Sequence, residues 1–594
     1  MAPFPRELTT VSPVQPAKTD TQSVWFGDST IGERFPAWTR GNAADVFPDP
    51  FSPLGQSLVL RQGMCAGLRD AYIASGALDW DEFEDPIRPD LFKIFGGYVY
   101  NPLSLTRVLG ARMPGATPEM IDNAFFDEGA DIPVYEPQAW HDSDKHAALL
   151  GASMGWAMST DSLPELDADK ALARSLRDHR PDLTSLTDAA LIARARSMVP
   201  ILQQCFENAM RVSSLASLGP GALGAICEGI DPSLSIRLLA GIEVDSAAPS
   251  HAMWQLGRLA NASNQLTTEF EVGLDGLLGR LRKSGSAEAS AFVERFDQFL
   301  HDFGSRAQNE YDLIATSWEV TPRIALAAID LMRKSHESQA PASRHLASVA
   351  ERDTIAARLR DQLAGDAETL GMFNAALKSA SLFLSGRERA KTNSVIVINE
   401  MRVALREFGR RLVERGEIEQ IEQVFMVTDA ELDHLRHDPQ LFRQRISDRW
   451  VQHRMLFEYE PVFNVNHVVP SLNDMTRRDS KAFDTAQPGE VLKGTAGSGG
   501  IATGRARVVL DAADPEGLEP GDVLIAPQTD PSWVPLFVPA AAVVVNVGAM
   551  GSHAMIVSRE LGIPCVVAVT DATHRIPDGA IVTVDGNTGT VTVH

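Results

Sequence analysis

The spacing of apolar residues changes near residue 490, and this change constrains the fold more than any other feature of the chain. Between about 145 and 460, apolar residues recur at helical intervals of three and four, most clearly at 395–416, where Gly416 is a typical helix-ending residue. After 490 come short β-branched runs bounded by Gly, Pro and Asp, with one helix-like stretch between the third and fourth runs. The pattern predicts an α+β multidomain protein, in which a large, mostly α-helical N-terminal domain precedes a small β/β/α domain.

Polar and turn-rich stretches divide the chain into four predicted segments. Residues 1–20 are rich in Pro and Thr and lack a basic start followed by an apolar run, so they predict a flexible arm and no signal peptide. Residues 471–490 are polar without a periodic apolar face, which is typical of a linker. We therefore expect a mainly helical domain at 21–470 and the β/β/α domain at 491–594.

Charge and cysteine content argue against several classes of protein. The 594 residues contain 54 Lys and Arg against 78 Asp and Glu, and the net charge of -24 argues against binding to nucleic acid or to an anionic membrane. The longest apolar stretch, 536–547, is interrupted by Pro539 and is shorter than the about 20 residues that a membrane helix needs. Four scattered Cys without a CxxC pair predict neither a disulfide framework nor a metal site, and they favour a cytoplasmic protein.

His553 is the residue with the clearest chemical potential. Ser552 can cap a helix that begins at His553, and Gly562 can end that helix after about two turns. Free backbone N–H groups and the positive end of the helix dipole favour an anion at a helix N-terminus. Because imidazole is a nucleophile, His553 is suited to carry a phosphoryl group. A Ser-His pair before a helix is by itself more often structural.

The surroundings of this histidine resemble a known domain. Residues 492–594 contain a TDPSW turn, the core SHA-x-I-x-x-REL-G-IP and a terminal VDG-x-x-G. This segment resembles the swivelling phosphohistidine domain of the phosphoenolpyruvate-utilising enzymes, a family that includes phosphoenolpyruvate synthase and pyruvate phosphate dikinase. The resemblance implies that His553 is the phosphorylated residue, and we expect Gly551 and Ser552, at the start of the helix, to help bind the phosphoryl group. GAMGSH departs from the family, which more often has a double glycine there.

The helical part resembles the substrate-binding domain of rifampin phosphotransferase and its relatives. The similar segments are at 41–55, 299–322 and 386–432, in the order in which the family has them. The resemblance implies that 21–470 binds the acceptor substrate and that Arg387 and Lys391 act as catalytic cations. Their i, i+4 spacing on a helix places both on one face, where they can converge on a phosphate.

Two carboxylates are candidates for the base that a hydroxyl acceptor needs. Glu310 and Asp312 follow Arg306, which lies one helical turn before Glu310 if this segment is helical. The alternative is that Arg306 and Glu310 form an ordinary surface pair, and that Arg387 and Lys391 belong to a solvated helix face. The family resemblance favours function for Arg387 and Lys391 and leaves the two carboxylates open.

The resemblance also implies a partner. No GxxxxGK[ST] loop occurs in the sequence, so we expect a separate ATP-grasp subunit to use ATP and Mg²⁺ to load His553, with no cofactor bound permanently by this chain. This layout resembles phenylphosphate synthase and the systems that phosphorylate 4-alkylphenols, which favours a phenol as the small hydroxyl acceptor. Two alternatives stay open: a rifamycin-like antibiotic as acceptor, and a non-catalytic phosphocarrier or regulatory module.

Overall fold

The structure, a computed structural model, describes residues 27–126, 131–245, 247–480, 483–512, 515, 517–548 and 552–594. The arm predicted at 1–20 lies outside these residues. No helix in the described part of the chain is both long and apolar enough to cross a membrane.

The part before residue 490 is mainly helical, with short strand pairs near its start and end. A π-helical segment, Gly55–Met64, runs directly into α2, and strand β1 pairs with β5, β2 with β3 and β4 with β6. The strands are β1 (Ala37–Thr39), β2 (Lys93–Phe95), β3 (Tyr98–Tyr100), β4 (Tyr459–Glu460), β5 (Asn464–Asn466) and β6 (Thr476–Arg477). The helices are α1 (Ala43–Val46), α2 (Cys65–Ala74), α3 (Leu103–Arg112), α4 (Pro118–Phe125), α5 (Asp144–Ser159), α6 (Pro164–Asp178), α7 (Asp188–Ser197), α8 (Val199–Leu215), α9 (Leu218–Glu228), α10 (Ser233–Leu238), α11 (Ala248–Asn261), α12 (Asn264–Val272), α13 (Leu277–Ser284), α14 (Ala287–Phe303), α15 (Pro322–Lys334), α16 (Pro341–Gln362), α17 (Ala367–Glu414), α18 (Asp429–His437) and α19 (Arg443–Leu456).

Helix α17 is the axis of the helical part. Its 48 residues span about 72 Å at 1.5 Å per residue, and helices α5 to α9 pack along it. The apolar stripe predicted at 395–416 lies in its second half, where every residue from 393 to 402 is buried. Gly416 follows the helix with a φ of 69°, a left-handed conformation that glycine adopts without steric cost.

The part after residue 490 forms one sheet with helices on it. Within the described residues, eight strands pair in the order β7-β14-β13-β9-β10-β11-β12-β8, and β9 to β12 run parallel. The elements are β7 (Val491–Lys493), β8 (Thr495–Ser498), β9 (Ile501–Val508), β10 (Val523–Ala526), α20 (Val534–Phe537), β11 (Ala542–Val545), α21 (His553–Leu561), β12 (Cys565–Val567), α22 (Ala572–Arg575), β13 (Ile581–Asp585) and β14 (Thr590–Val593).

Three of the parallel strands, β10, β11 and β12, are buried on both faces, which explains their continuous apolar sequence. Side chains alternate along each strand, so Leu524 and Val543 join a core shared with helices α11 to α15. Val523 and Val544 face a second core inside the C-terminal domain. The sheet is therefore docked on the helical part through an apolar interface, with α11 and α15 against α20, and α16 against α21.

The segment predicted as a linker is partly structured. Residues Leu472–Asp474 form a 3-10 turn and β6 pairs with β4, so 471–480 is attached to the helical part. Residues 483–490 contain neither helix nor strand. Polar composition alone did not distinguish these two halves, because a short paired strand needs no apolar face when it lies on the surface.

Candidate functional site

Two neighbouring loops of the C-terminal sheet carry the central residues of the site. Thr529 and Asp530 follow β10, and the loop after β11 leads to His553 at the first position of α21. Since β10 and β11 are adjacent and parallel, their carboxyl ends meet at one edge of the sheet, where α/β proteins usually bind ligands. This topology brings the TDPSW turn and the histidine together.

The imidazole of His553 is buried and available on one nitrogen. Only 7% of the residue is exposed, and Nδ1 lies 3.3 Å from the Thr529 hydroxyl oxygen. Nε2 is buried without a hydrogen-bond partner among the described residues. Burial, reinforced by the charges of Lys391, Arg306 and Arg387, lowers the pKa of His553 well below its usual value. The ring is therefore neutral at pH 7, and in the tautomer that donates Nδ1–H to Thr529, Nε2 presents a lone pair.

The predicted helix around His553 is confirmed, but the predicted cap is not. The helix begins at His553 and ends before Gly562, which has a φ of 62°. Ser552 occupies the capping position, yet its side chain accepts no capping bond and its hydroxyl is buried without a partner among the described residues. The hydroxyl of Ser552 is thus free to donate a hydrogen bond. Gly551 lies outside the described residues.

Arg387 and Lys391 approach His553 from α17. Both are only partly exposed, so the alternative of a solvated helix face is wrong. Lys391 Nζ lies 3.3 Å from Glu310 Oε1, and although burial opposes it, the negative charge of Glu310 raises the pKa of Lys391. Arg387 makes no hydrogen bond or ion pair with the described residues, and its charge acts on both His553 and Asp45. Its guanidinium is free to bind an anion.

Arg306 and Glu310 form a buried pair in a loop. The helical spacing expected for them is wrong, because α14 ends at Phe303, but their side chains still meet at 3.4 Å between Nη1 and Oε1. Each residue is 2% exposed, so they are not a surface pair. Arg306 also donates to the Thr392 hydroxyl over 2.6 Å, whereas Glu310 Oε2 has no hydrogen-bond partner among the described residues.

Asp312 holds the loop in place. It accepts the backbone N–H of Ser52 over 2.6 Å and the Ser52 hydroxyl over 2.5 Å. A longer bond of 3.4 Å comes from the backbone N–H of Ile314. Burial raises the pKa of Asp312 to about 6. Both carboxylate oxygens are occupied, and this distinguishes Asp312 from Glu310 as a candidate base.

Arg402 is a positioning residue that the sequence did not reveal. It is fully buried, and its Nη2 donates to the backbone carbonyls of Glu310 and Asp312 over 2.7 and 2.8 Å. Its Nη1 donates to Asn399 Oδ1 over 2.9 Å. Arg402 lies three turns after Lys391 on α17, so the same helix face carries the cation and the anchor of the loop that faces it. The spacing of Lys391 and Arg402 in the sequence could have indicated that both lie on one helix face.

Two further carboxylates at the site were missed. Asp45 lies close to the backbone of His553, and burial raises the pKa of its carboxyl to about 6. Asp530 accepts the backbone N–H of Ser532 over 2.7 Å, and burial together with the charge of Glu310 raises its pKa to about 7. Both belong to segments that carry the family resemblance, GNAADVF and TDPSW, which was the signal that could have found them.

One group elsewhere has the composition of a metal site. In the described part of the chain, Asp79, Glu82 and His146 have potential ligand atoms within 4.8 Å of one another. Asp79 is already bound by Lys145 and Glu82 by Arg112, both at 2.5 Å. Because these cations neutralise both carboxylates, the group is explained as an ion-pair network.

Comparison with known families matches two parts of the chain. Residues 518–589 match the family described as PEP-utilising enzyme, mobile domain, and residues 197–388 match the rifampicin phosphotransferase fourth domain. The first match contains His553, and the second contains Arg306, Glu310 and Arg387.

Three relatives show how far the similarity extends. An uncharacterised protein of Mycobacterium tuberculosis is 26% identical over 95% of this chain and 62% of its own length. A rifampicin phosphotransferase of Streptomyces sviceus is 32% identical over 55% of this chain and 37% of its own length. A phosphoenolpyruvate synthase of Aeropyrum pernix is 50% identical over 17% of this chain and 13% of its own length. The chain thus spans less than two thirds of the length of each relative.

Proposed function

We propose that this chain is the phosphoryl-carrying component of a phosphotransferase, in which His553 receives a phosphoryl group and delivers it to the hydroxyl of a small organic acceptor. The observation that carries the proposal is the buried, neutral imidazole, whose unpartnered Nε2 lies in the field of three cations, Arg306, Arg387 and Lys391. Matches to a phosphotransferase domain and to the mobile domain of PEP-utilising enzymes support it.

The transfer step needs few groups beyond these. The Nε2–P bond of phosphohistidine breaks while a bond forms between phosphorus and the acceptor oxygen. Charge spreads over three phosphoryl oxygens in the transition state, and cations positioned in advance stabilise it. Arg387 and Lys391 fill this role, and Ser552 donates a hydrogen bond to the phosphoryl group.

The acceptor proton goes to Glu310 in this scheme. Among the described residues, Glu310 Oε2 is buried and unpartnered, whereas its Oε1 faces Arg306 and Lys391. A free carboxylate oxygen can accept the proton when the acceptor hydroxyl lies within hydrogen-bond reach of it. Asp312 is assigned to positioning, because Ser52 occupies both of its oxygens.

A phenol or 4-alkylphenol is our preferred acceptor. Aromatic side chains next to Lys391 support this choice: its Nζ lies 5.8 Å from the ring centre of Tyr311, which packs against Phe47 and Phe206. A rifamycin-like acceptor is the second candidate, because relatives of that name align with the helical part. Incubating the loaded protein with phenols and with rifamycins, followed by mass spectrometry of the products, separates the two.

Loading from ATP by a separate ATP-grasp subunit in the presence of Mg²⁺ is part of the proposal. The pure chain, the chain with such a subunit, and the same mixture with His553→Ala are each incubated with γ-labelled ATP. We expect acid-labile label on the chain only in the second sample. Stoichiometric labelling of the pure chain would exclude the partner, and product formation by His553→Ala would exclude the histidine route.

The non-catalytic phosphocarrier is tested by the same material. If the phosphoryl group stays on His553 with every small molecule and leaves only when another protein is added, the chain is a carrier and not the transferase proposed here.

A further inference from the structure

Glu560 is a buried carboxylate between the C-terminal domain and the helices on which it docks. It lies on α21, the helix that begins with His553, and is 3% exposed. Its Oε2 has no hydrogen-bond partner among the described residues. The nearest cationic candidate is His345 on α16, whose Nδ1 lies 3.9 Å from Oε1, beyond hydrogen-bond distance. An isolated charge in such a place is costly.

The groups that face Glu560 come from four elements of the helical part. Glu388 lies on α17, Glu243 in the segment before α11, His345 on α16, and His251 on α11 beside His345 and Glu243. Burial, followed by the negative charges of Glu388 and Glu243, raises the pKa of Glu560 well above its usual value. While the domain is docked, Glu560 is therefore held in its neutral form.

The other contacts that α16 and its neighbours make with this domain are hydrogen bonds to backbone carbonyls and a small apolar cluster. Arg344 and Gln339 donate to the backbone carbonyls of Val538 and Pro539, each over 3.0 Å. Ile556 packs in a small apolar cluster with segment 242–247. The charge state of Glu560 therefore bears directly on whether these surfaces stay together.

We propose that docking of the C-terminal domain against α16 takes up one proton at Glu560, so that pH sets how long His553 stays at the acceptor site. The inference rests on the proposed function in one respect, because it requires the domain to leave this site to be loaded. A released domain exposes Glu560 to water, where the carboxylate ionises in its ordinary range.

The direction of the pH effect follows from proton linkage. Between the ordinary pKa of a glutamate and the raised value in the docked state, only the docked form holds the proton. The docking constant therefore falls as pH rises, by up to tenfold per pH unit for one proton. Asp45 and Asp530 act in the same direction because burial raises their pKa, whereas the lowered pKa of His553 acts in the opposite direction.

A comparison with Glu560→Gln isolates the contribution of Glu560. The full chain carries donor and acceptor dyes on cysteines introduced at exposed Leu346 of α16 and exposed Ile581 of β13, and the native cysteines are buried. Energy transfer between pH 5 and 9 reports the docked fraction. We expect the docked fraction of the wild type to fall with rising pH, and Glu560→Gln to stay docked at pH 8. The slope of the logarithm of the docking constant against pH should be smaller for Glu560→Gln, by up to one proton. Glu294→Gln, a change of an exposed carboxylate, serves as the matched control and should follow the wild type.

A second variant decides the question if Glu560→Gln does not fold, as judged by circular dichroism. Glu243→Gln removes one negative charge that faces Glu560. It should strengthen docking at pH 8 and shorten the pH interval over which the domain is released. Equal pH profiles for the wild type and Glu560→Gln would overturn the inference, as would a docked fraction that is constant with pH, or wild-type behaviour of Glu243→Gln. The assay needs neither ATP nor acceptor, so a chain that is never phosphorylated on His553 refutes the proposed function without affecting this result.

Discussion

Replacing Lys391 by methionine tests the division of labour between the two parts of the chain. Methionine keeps the length and apolar character of the side chain but removes the charge that faces Glu310 at 3.3 Å. Two unit charges about 5 Å apart, at an effective dielectric constant of about 20, interact by about 3 kcal/mol, and we take this as the contribution of Lys391. This agrees with the 10²- to 10³-fold loss that is typical when one preorganised group is removed from a transition state.

Chemical loading of the histidine separates loading from discharge. Potassium phosphoramidate phosphorylates imidazole without an enzyme, so His553 can be loaded while the domain is released. We expect Lys391→Met to load within about twofold of the wild type, because Lys391 lies on the helical part and acts only in the docked state. Discharge to the acceptor found by the product screen should fall about 10²-fold in single-turnover measurements, because about 3 kcal/mol corresponds to roughly two factors of ten in rate.

The matched control is Lys378→Met, on the same helix but in an ion pair with Asp161 at 2.8 Å. Its discharge should equal that of the wild type. Unchanged discharge by Lys391→Met would refute the role given to the charge of Lys391. An equal fall of loading and discharge would show that the substitution damaged the fold instead.

Four further predictions follow from buried groups and one glycine. Asp312→Asn should lower the free energy of unfolding by about 1–3 kcal/mol in urea, because the donors of Ser52 lose their charged acceptor. Ser552→Ala should change it by less than about 0.5 kcal/mol, since the hydroxyl has no partner among the described residues, but should shorten the lifetime of the phosphoryl group in ³¹P NMR. The imidazole of His553 should stay neutral at pH 6 in nitrogen-15 NMR of the docked chain. Because only the released imidazole takes up a proton in the ordinary histidine range, His553 should weaken docking as pH falls through that range. Gly562→Ala should cost about 1–2 kcal/mol, because φ is 62° there, and should lower Tm.

The urea experiment on Asp312→Asn has a control at an exposed carboxylate. Asp297→Asn, on an exposed carboxylate paired with Arg282, should leave the urea midpoint unchanged. If Asp312→Asn behaves in the same way, Asp312 does not hold the loop. A destabilised Ser552→Ala would reveal a hydrogen bond that supports the fold, and a His553 titration near pH 6.5 would mean that the ring is not buried beside the cations.

Local sequence predicted the elements that depend on neighbouring residues. The apolar stripe at 395–416 predicted the second half of α17, and Gly562 marked the end of α21, because helix periodicity and left-handed glycine are properties of short segments. Five strands of the C-terminal domain, β9 to β13, followed from their β-branched runs. Strands β7, β8 and β14 were not identified, since three or four residues beside a turn carry little pattern.

Contacts between distant segments could not be predicted in this way. Arg306 and Glu310 were expected to meet through helical spacing, but they meet in a loop that Arg402 holds from α17. Asp45, near the start of the chain, lies close to His553, near its end. No local pattern encodes these pairings, because they depend on how α17, the loop and the C-terminal sheet pack together.

The sequence by itself determined the chemical groups of this protein: a histidine at a helix N-terminus and two cations one helical turn apart, each specified by spacing within a single element. Only the tertiary structure decided their electrostatic state. Burial of His553, Glu310 and Glu560 in one interface lowers the pKa of the first, leaves the second with an open oxygen and raises the pKa of the third. Desolvation is a property of the assembled interface and not of any segment, so it becomes visible only when the chain is folded.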